Sequence, residues 1–419
     1  MTLPLAAVAL AAPLACAADD DGPMNYETGQ PDVCAAAGHP NVVLIALESF
    51  RHSAVTPYAP DLPTTPFLAQ LALEGTLVEA AYAVVPHTTK ALVPLLCGNY
   101  PKIAKETVET APGGLPWGCL AARLGGAGFA SLFIQPARPT FEGRTELVRN
   151  IGYGAFESSA TLPTAGFDES SYFGFEDDVM LAPTLDWIDA QECPFFVTVL
   201  TLASHHDYQV PAGFPTQPFA LGGPYNDYLN TVAYTDRFVS ELYQGLADRG
   251  LVDDTVVIAV GDHGEGFGEH DRFQHDNVIW EEGLRVPMIL AGPGIEAGRV
   301  IEGPFQLLDV PPTIERLLDV ELGPSDYVGR DILADEAHPR LFFSCWADDR
   351  CMAMREGARK VIYHYDALPT AVHDLLADPS EYYNAIADGD NPAFAAAAVE
   401  AMLAWKSATN AAYGGPRRR

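Results

Sequence analysis

Three short apolar runs, each rich in β-branched residues, constrain what this chain can fold into. They span residues 41–47, 194–202 and 254–260, and each has the composition of a strand that is buried on both faces of a parallel sheet. Segments with helical periodicity lie between them at residues 115–125, 178–190 and 225–250, and another follows the last run at residues 306–318. This alternation predicts an α/β fold with a doubly wound, mostly parallel sheet flanked by helices.

Beyond residue 335 the pattern changes to short strands that lie close together in sequence. Residues 340–344, 351–356 and 360–365 predict a small antiparallel sheet, and residues 392–408 predict a helix that packs back on it. We therefore divide the chain into a leader at 1–17, a polar linker at 18–40, a main domain at 41–333, and a small C-terminal subdomain with a tail at 334–419.

The first residues are typical of an export signal. An apolar stretch ends in Ala15-Cys16-Ala17, which predicts cleavage before Ala18, while Leu14-Ala15-Cys16 alternatively resembles a lipobox that would lipidate Cys16. No later stretch has the length and apolarity of a membrane span. We expect an exported protein that is periplasmic or at the cell surface, with a lipid anchor at Cys16 as the alternative.

Cysteine usage agrees with an oxidising compartment. Six cysteines remain after Cys16, an even number compatible with disulfides. The preferred pairs are Cys97 with Cys119 and Cys345 with Cys351, and Cys34 with Cys193 follows by elimination. Buried free thiols are the alternative.

The formal net charge of −32 limits the partners. A chain this acidic repels nucleic acid and anionic membrane surfaces, so we expect neither as a partner. A negative substrate would need local positive groups at the site that handles it.

Polar side chains follow the predicted strands at their carboxyl ends, where open α/β sheets bind ligands. Glu48 follows the first run, and Asp262 and His263 follow the third. Carboxylate oxygens and an imidazole at one edge are suited to a shared cation, although Glu48 can instead pair with Arg51. Thr88 precedes an apolar helical pattern, where a helix N-terminus favours an anion, although a plain N-cap is the commoner role.

Further candidate residues lie near these positions. His205 and His206 follow the second run, and His275 comes shortly after His263. Lys90 is two residues past Thr88, from where we expect it to reach a phosphoryl oxygen. The insert at residues 138–175 is predicted to border the site and to carry substrate choice.

Five motifs in order resemble one family, the alkaline phosphatase and sulfatase superfamily. They are NVVLIALESF, TPFLAQLALEGT, PHTTKALVPLLCGNYP, GDHGEGFGEH and EEGLRVPMILAGPG, and the likeness runs from about residue 41 to about residue 387. The chain is most similar to the branch with a threonine nucleophile, which contains lipoteichoic acid synthases, phosphoglycerol transferases and phosphoethanolamine transferases.

The resemblance implies a set of site residues. Glu48, Thr88, Asp262 and His263 would hold one divalent metal ion, and Thr88 would also be the nucleophile. The metal would be Mn, Mg or Zn, with Ca less suited. His205 matches the family histidine of an H-x-P segment, although Asp207 replaces the usual proline, and His275 matches a histidine that lies near the substrate phosphate in the phosphoethanolamine transferases. His205, His275 and Lys90 would then bind substrate, and His205 and His275 would also be catalytic, with one of them protonating the leaving oxygen.

The resemblance also leaves alternatives for the reaction. A phosphoester hydrolase or transferase with a covalent intermediate at Thr88 is favoured. A sulfuric ester hydrolase is the alternative, but those enzymes need a cysteine or serine that becomes formylglycine, and Thr88 stands at that position. A phosphoglycerol or phosphoethanolamine transferase and an anion-binding surface protein without turnover are the others. The substrate would be a small-molecule or head-group phosphoester or sulfate ester.

Overall fold

A computed structural model describes residues 24–25, 34–346 and 350–415 of the chain. The helices are α1 (Pro66–Glu74), α2 (Thr88–Cys97), α3 (Leu120–Gly126), α4 (Arg144–Ile151), α5 (Leu181–Asp189), α6 (Pro224–Asp248), α7 (Glu281–Leu284), α8 (Val310–Leu318) and α9 (Asn391–Ala412). The strands are β1 (Met24–Asn25), β2 (Asn41–Leu47), β3 (Thr76–Tyr82), β4 (Ala130–Ile134), β5 (Ala155–Glu157), β6 (Glu169–Ser171), β7 (Gly174–Phe175), β8 (Phe195–Leu200), β9 (Thr255–Gly261), β10 (Gly266–Phe267), β11 (Phe273–Gln274), β12 (Arg285–Val286), β13 (Met288–Ala291), β14 (Arg299–Gln306), β15 (Leu341–Ser344), β16 (Met352–Glu356), β17 (Arg359–Tyr363) and β18 (Ala371–Asp374).

The main domain is built on one large mixed sheet. Its strand order is β1-β5-β4-β8-β2-β9-β13-β3-β12, with β14 paired to β3. The central strands β5, β4, β8, β2 and β9 are parallel neighbours, whereas β13 runs antiparallel to both β9 and β3. The prediction of a mostly parallel α/β sheet is confirmed, with antiparallel pairing towards one edge.

Burial on both faces explains why the central strands are continuous apolar runs. In β2, Val42 and Leu44 pack into one hydrophobic cluster, while Val43 and Ile45 pack into another on the opposite face. Helices α2, α3 and α8 contribute to the first cluster, and α1, α5 and α6 contribute to the second. Alternating residues of one strand therefore meet different helices, and both faces must be apolar.

The C-terminal subdomain is an antiparallel sheet in the order β15-β16-β17-β18, covered by α9. Met402 and Trp405 of α9 pack with Met352 and Met354 of β16. The predicted small antiparallel sheet is thus present. Strand β18 was not predicted, because only Ala371 and Val372 in it are apolar and so it has little alternating pattern.

Three disulfides connect the cysteines as predicted: Cys97 with Cys119, Cys345 with Cys351, and Cys34 with Cys193. The predicted leader at 1–17, with its lipobox alternative at Cys16, and most of the predicted linker at 18–40 lie outside the described residues. Within the described part of the chain, no helix combines the length and apolarity needed to cross a membrane.

Candidate active site

Two carboxylates meet at the carboxyl edge of the central sheet. Strands β2 and β9 are parallel, with Leu47 level with Gly261, so Glu48 and Asp262 emerge next to each other. The backbone N–H of Ser49 donates to Asp262 Oδ1 at 2.9 Å, and the Ser49 hydroxyl donates to Glu48 Oε1 at 3.0 Å. Both carboxylates are buried, with 2% of Glu48 and none of Asp262 exposed.

Thr88 is the first residue of α2, and its hydroxyl points at Glu48 and His263. Strand β3 delivers the chain to His87, the N-cap of α2. Thr88 Oγ1 lies 3.1 Å from Glu48 Oε2 and 3.4 Å from His263 Nε2. The hydroxyl is therefore held at a helix N-terminus, where backbone N–H groups favour a bound anion.

The imidazole of His263 completes this cluster. Its Nδ1 donates to the carbonyl of Gly264 at 2.9 Å, which leaves the Nε2 lone pair facing the carboxylates. Nε2 lies 3.4 Å from Asp262 Oδ2 and 3.6 Å from Glu48 Oε1. A Cβ at Gly264 would meet the carbonyl oxygen of Glu282 at 2.0 Å, so only glycine permits the turn that orients His263.

The charges of this cluster call for a cation. Burial, followed by the nearness of Asp262, raises the pKa of Glu48 to about 8, and burial raises the pKa of Asp262 to about 7. Asp262 Oδ2 is buried without a hydrogen-bond partner. Two carboxylates, a hydroxyl and one imidazole nitrogen suit a divalent metal ion, whose charge would offset the cost of burying both anions. The residues present therefore fit the metal that the sequence predicted.

Three further imidazoles lie beside this cluster: His205, His206 and His275. Their rings are 4.0 to 5.8 Å apart between centroids, and the ring of His275 lies 4.4 Å from that of His263. The structure thus places both histidines named by sequence, His205 and His275, at the rim of the site. His206, which the sequence also places after the second run but which we expected to be solvated or to support other residues, lies beside them.

The histidines at the rim are held in their neutral form. Burial, and then the neighbouring imidazoles, hold the pKa values of His205 and His275 well below the usual range. His275 Nδ1 lies 3.1 Å from Glu265 Oε2, and His205 Nδ1 donates to the carbonyl of His206 at 2.6 Å. Each ring therefore carries its proton at Nδ1 and presents an Nε2 lone pair.

The structure corrects the expectation for Lys90. Its Nζ lies 2.9 Å from Glu109 Oε2 and also donates to the carbonyls of Lys102 and Glu106, so it does not reach the cluster around Thr88. The physical reason is helical geometry, because residues two apart on a helix do not face the same side. Lys90 and Glu109 form a buried ion pair with side chains 1% and 0% exposed.

We predict that Lys90→Met lowers the free energy of unfolding by about 3–5 kcal/mol, since it leaves Glu109 buried without its partner. Urea unfolding measures this loss. The double variant Lys90→Met/Glu109→Leu is the control and should recover much of the stability, because it removes both charges. An undiminished stability in Lys90→Met would contradict a structural role for this pair.

Sequence reasoning missed Arg144, the first residue of α4. Arg144 is 3% exposed and lines a cavity together with Glu48 and Thr88. Burial lowers its pKa, and its Nε and Nη1 atoms have no hydrogen-bond partner. A buried guanidinium with free donors is a site for an anion. The signal available in sequence was an arginine after Gly143 within the insert at 138–175.

A second missed feature flanks Thr88 on both sides. Glu142 accepts from the Thr89 hydroxyl at 2.6 Å, and its Oε1 lies 2.9 Å from His87 Nε2. The ring of His87 stacks on Trp346 of the C-terminal subdomain, with centroids 3.7 Å apart. One carboxylate and one indole therefore fix the residues before and after Thr88. The insert does border the site, as its composition indicated.

Comparison with known proteins agrees with the fold. The mixed sheet with its flanking helices and the small C-terminal sheet form an alkaline phosphatase-like fold. A protein of the alkaline phosphatase superfamily from Vibrio parahaemolyticus superposes with a TM-score of 0.71 at 19% identity, covering 90% of this chain and 88% of that one. The lipoteichoic acid synthase of Listeria monocytogenes gives a TM-score of 0.71 at 19% identity over 95% of this chain and 98% of that one.

The sequence places the chain in a family. The Sulfatase family model matches residues 40–320, more than half of the chain, and the protein belongs to that family. Lipoteichoic acid synthase 2 of Bacillus subtilis is 23% identical over 342 residues, covering 74% of this chain and 50% of the relative. The chain thus spans about half the length of this curated relative.

Proposed function

We propose that this protein is an exported, metal-dependent phosphoesterase or phosphotransferase that forms a covalent phosphothreonine at Thr88. The observation that carries the proposal is the convergence on one hydroxyl: Thr88 Oγ1 lies 3.1 Å from Glu48 Oε2 and 3.4 Å from His263 Nε2. A bare threonine hydroxyl is a weak nucleophile, and such a setting is what activates one. A divalent metal held by Glu48, Thr88, Asp262 and His263 would supply the positive charge that favours the ionised hydroxyl.

Residues of the chain can carry the first half-reaction. Thr88 Oγ1 gives up its proton to solvent and attacks phosphorus, the new Oγ1–P bond forms as the bond to the leaving oxygen breaks, and the leaving oxygen takes a proton from water. Arg144 has free donors in the same cavity and is placed to neutralise the phosphoryl oxygens. Glu142 and Trp346 hold the backbone on either side of Thr88 through Thr89 and His87, which limits its motion during attack.

The second half-reaction returns Thr88 to its free form. Water, or an acceptor hydroxyl in a transferase, attacks phosphorus and displaces Thr88 Oγ1. His205 or His275 can take the proton from the attacking group, because each presents an Nε2 lone pair. Burial and the neighbouring imidazoles hold the pKa values of both rings well below the usual range, so each ring is neutral near pH 7 and carries no proton at Nε2 to give to the leaving oxygen.

Two observations bear on the choice among reactions. Threonine at position 88 argues against a sulfatase of the formylglycine kind, which needs a cysteine or serine there. The similarity to lipoteichoic acid synthases supports transfer to an acceptor as the second candidate function. Both candidates share the same first half-reaction at Thr88.

The proposal of export has its own support. All six cysteines in the described ranges are paired in disulfides, and such bonds persist in oxidising compartments. Cys97–Cys119 lies within the main domain, and Cys34–Cys193 joins the segment before β2 to that domain. A domain held by disulfides is suited to an oxidising compartment such as the periplasm or the cell surface.

The experiment that tests the function is a paired substrate panel. Chelated enzyme is given Mn²⁺, Mg²⁺ or Zn²⁺ with aryl phosphodiester, phosphomonoester and sulfate ester substrates that share one leaving group. We expect metal-dependent turnover of a phosphoester and little turnover of the sulfate ester. Arg144→Gln should raise KM for the phosphoester by roughly tenfold or more, because it removes a charge-assisted contact.

The same panel separates the alternatives. Faster turnover of the sulfate ester than of both phosphoesters would sink the phosphoester assignment. Release of the phenol in one stoichiometric burst, followed by slow turnover that glycerol accelerates, would favour the transferase. No reaction with any ester would point to an anion-binding protein.

A further inference from the structure

We propose that Glu381 of the C-terminal subdomain, paired with Lys360, is a positioning residue for the segment 262–265 of the active site. It acts through α7, the short helical turn whose backbone contacts that segment. The subdomain thereby determines the orientation of an imidazole in the cluster without entering the cluster itself. The proposal rests on the proposed function only in taking the segment 262–265 as a source of metal ligands.

One peptide group links α7 to the imidazole of His263. The carbonyl of Gly264 accepts from His263 Nδ1 at 2.9 Å. The N–H of the same planar peptide, that of Glu265, donates to the carbonyl of Glu282 in α7 at 3.0 Å. The N–H of Gly264 also donates to α7, to the carbonyl of Gly283 at 2.8 Å. A displacement of α7 would therefore turn this peptide and the ring that it holds.

Backbone packing around α7 is too close to absorb such a displacement. A Cβ at Gly264 would lie 2.0 Å from the carbonyl oxygen of Glu282, and a Cβ at Gly283 would lie 2.1 Å from that of Val278. Glycine is required at both positions because main-chain atoms fill the space that a side chain would need. The segment 262–265 and α7 must therefore move together.

Helix α7 depends on the C-terminal subdomain for its N-terminal cap. A turn of four residues is marginal on its own, since helix nucleation is costly. Its N-cap residue, Trp280, supplies no side-chain cap. Glu381 supplies one instead, because its Oε2 accepts from the backbone N–H of Glu281 at 2.7 Å. This carboxylate satisfies an N–H that the helix leaves free, and it faces the positive end of the helix dipole.

Lys360 of β17 fixes the capping carboxylate against α7. Its Nζ lies 3.0 Å from Glu381 Oε1 and 3.1 Å from Glu281 Oε1. Tyr82 donates its hydroxyl to Glu281 Oε2 at 2.7 Å. All four side chains are buried, with none of Lys360 and 2% of Glu381 exposed. Because a buried charge is costly unless it is paired, this cluster holds α7 at one position on the subdomain.

A histidine of the main domain connects the next residue of α7 to the same loop of the subdomain. His270 Nδ1 lies 2.8 Å from Glu282 Oε1, and its Nε2 lies 3.3 Å from the carbonyl oxygen of Glu381. The ring stacks on both Trp280 and Tyr382, with centroids 4.4 and 4.8 Å away. Two successive residues of α7 are therefore in contact with groups around Glu381.

Hydrogen exchange tests the proposal without reference to turnover or to the metal. In the chelated full-length protein, we expect the amides of Gly264 and Glu265 to exchange about tenfold faster in Glu381→Ala than in the wild type, the scale of a lost helix cap. Glu381→Gln keeps an oxygen that can accept from the N–H of Glu281, so exchange should stay within about threefold of the wild type. Mass spectrometry of peptides spanning residues 262–268 measures these rates.

Met402→Ala is the matched control for loss of stability in the subdomain. Met402 packs in the core between α9 and the subdomain sheet, so its truncation weakens the subdomain without removing a contact to α7. We expect a lower midpoint in urea unfolding, with exchange at Gly264 and Glu265 unchanged. Acceleration as large as that in Glu381→Ala would overturn the positioning role, since general destabilisation would then account for both.

Metal affinity gives a second reading. In competition with a chelator, Glu381→Ala should bind Mn²⁺ about tenfold more weakly than the wild type, whereas Glu381→Gln and Met402→Ala should bind it with nearly wild-type affinity. A wild type that binds no Mn²⁺ would count against the proposed metal site, and exchange in the chelated protein would still decide the role of Glu381.

Unchanged exchange in a folded Glu381→Ala protein would overturn the proposal. Circular dichroism checks folding. If Glu381→Ala does not fold, Tyr82→Phe removes a different contact to Glu281 and should accelerate exchange at Gly264 and Glu265 by about threefold. Wild-type exchange in Tyr82→Phe would then be the contradicting result.

Discussion

Replacing Thr88 by alanine is expected to lower phosphoester turnover roughly 10⁴-fold or more, the scale of loss when a nucleophile is removed. Thr88→Ser keeps a hydroxyl at the same helix position, and we expect it to retain activity within about a hundredfold. Steady-state rates on the phosphodiester measure both effects. Mass spectrometry of the peptide containing residue 88, after rapid acid quenching, should find phosphothreonine in the wild type and no phosphate at that position in Thr88→Ala.

Thr89→Val is the matched control for this prediction. It removes the neighbouring hydroxyl, which donates to Glu142 at 2.6 Å but does not face the carboxylate cluster. We expect its turnover to fall by about tenfold or less, because it removes one positioning contact. A loss as large as that of Thr88→Ala would contradict the assignment of Thr88 as the attacking group, as would full activity in Thr88→Ala.

Replacing Asp262 by asparagine is expected to have two opposite effects. Turnover should fall by about 10³-fold, because weaker metal binding forfeits several kcal/mol of transition-state stabilisation. The chelated protein, however, should become more stable at pH 8, by roughly 2–4 kcal/mol, since a pKa raised by burial measures the cost of the buried charge. Asparagine keeps an oxygen that can accept from the backbone N–H groups of Ser49 and His263.

The pH dependence of this stabilisation has a definite sign. An unfolded aspartate has a pKa near 4, whereas burial raises the pKa of Asp262 to about 7 in the folded chain. Between these values the folded state binds more protons, so this group makes stability fall as pH rises from about 4 to about 7. Glu48, with its pKa raised to about 8, extends the same decline upward.

Chemical unfolding in urea at pH 5 and pH 8, with chelator present, measures this difference. Asp262→Asn should match the wild type more closely at pH 5 than at pH 8. Asp61→Asn is the control, because Asp61 is an exposed carboxylate and its replacement should leave stability within about 0.5 kcal/mol. A chelated Asp262→Asn protein that is less stable than the wild type at pH 8 would contradict the cost assigned to the buried charge.

The positions of Glu48, Asp262 and His263 could be predicted from sequence for a clear reason. Each follows an apolar strand, and the carboxyl ends of parallel neighbours meet at one edge of the sheet. Strands β2 and β9 pair so that Leu47 lies level with Gly261. The ends of the two apolar runs in the sequence mark these positions. The local sequence pattern was sufficient here because the parallel arrangement of the strands brings residues that follow them to the same edge of the sheet.

The features that sequence could not predict depend on loop conformation and distant packing. Arg144 enters the cavity after a turn in which Glu142 adopts a positive φ of 52°, and no periodic pattern encodes such a turn. Trp346 reaches His87 from the C-terminal subdomain, a contact between residues far apart in the chain. Lys90 was predicted wrongly because nearness in sequence to Thr88 was taken for nearness in space.

The wide separation of the cluster residues along the chain has a consequence for folding. Glu48 and Asp262 are 214 positions apart (262 − 48), and Thr88 arrives on a separate helix. No short piece of the chain contains the whole cluster, so high-affinity metal uptake can begin only after the middle of the sheet has assembled. A metal bound by these residues would therefore report completed folding, and its uptake by a refolding chain should lag behind the appearance of helical signal.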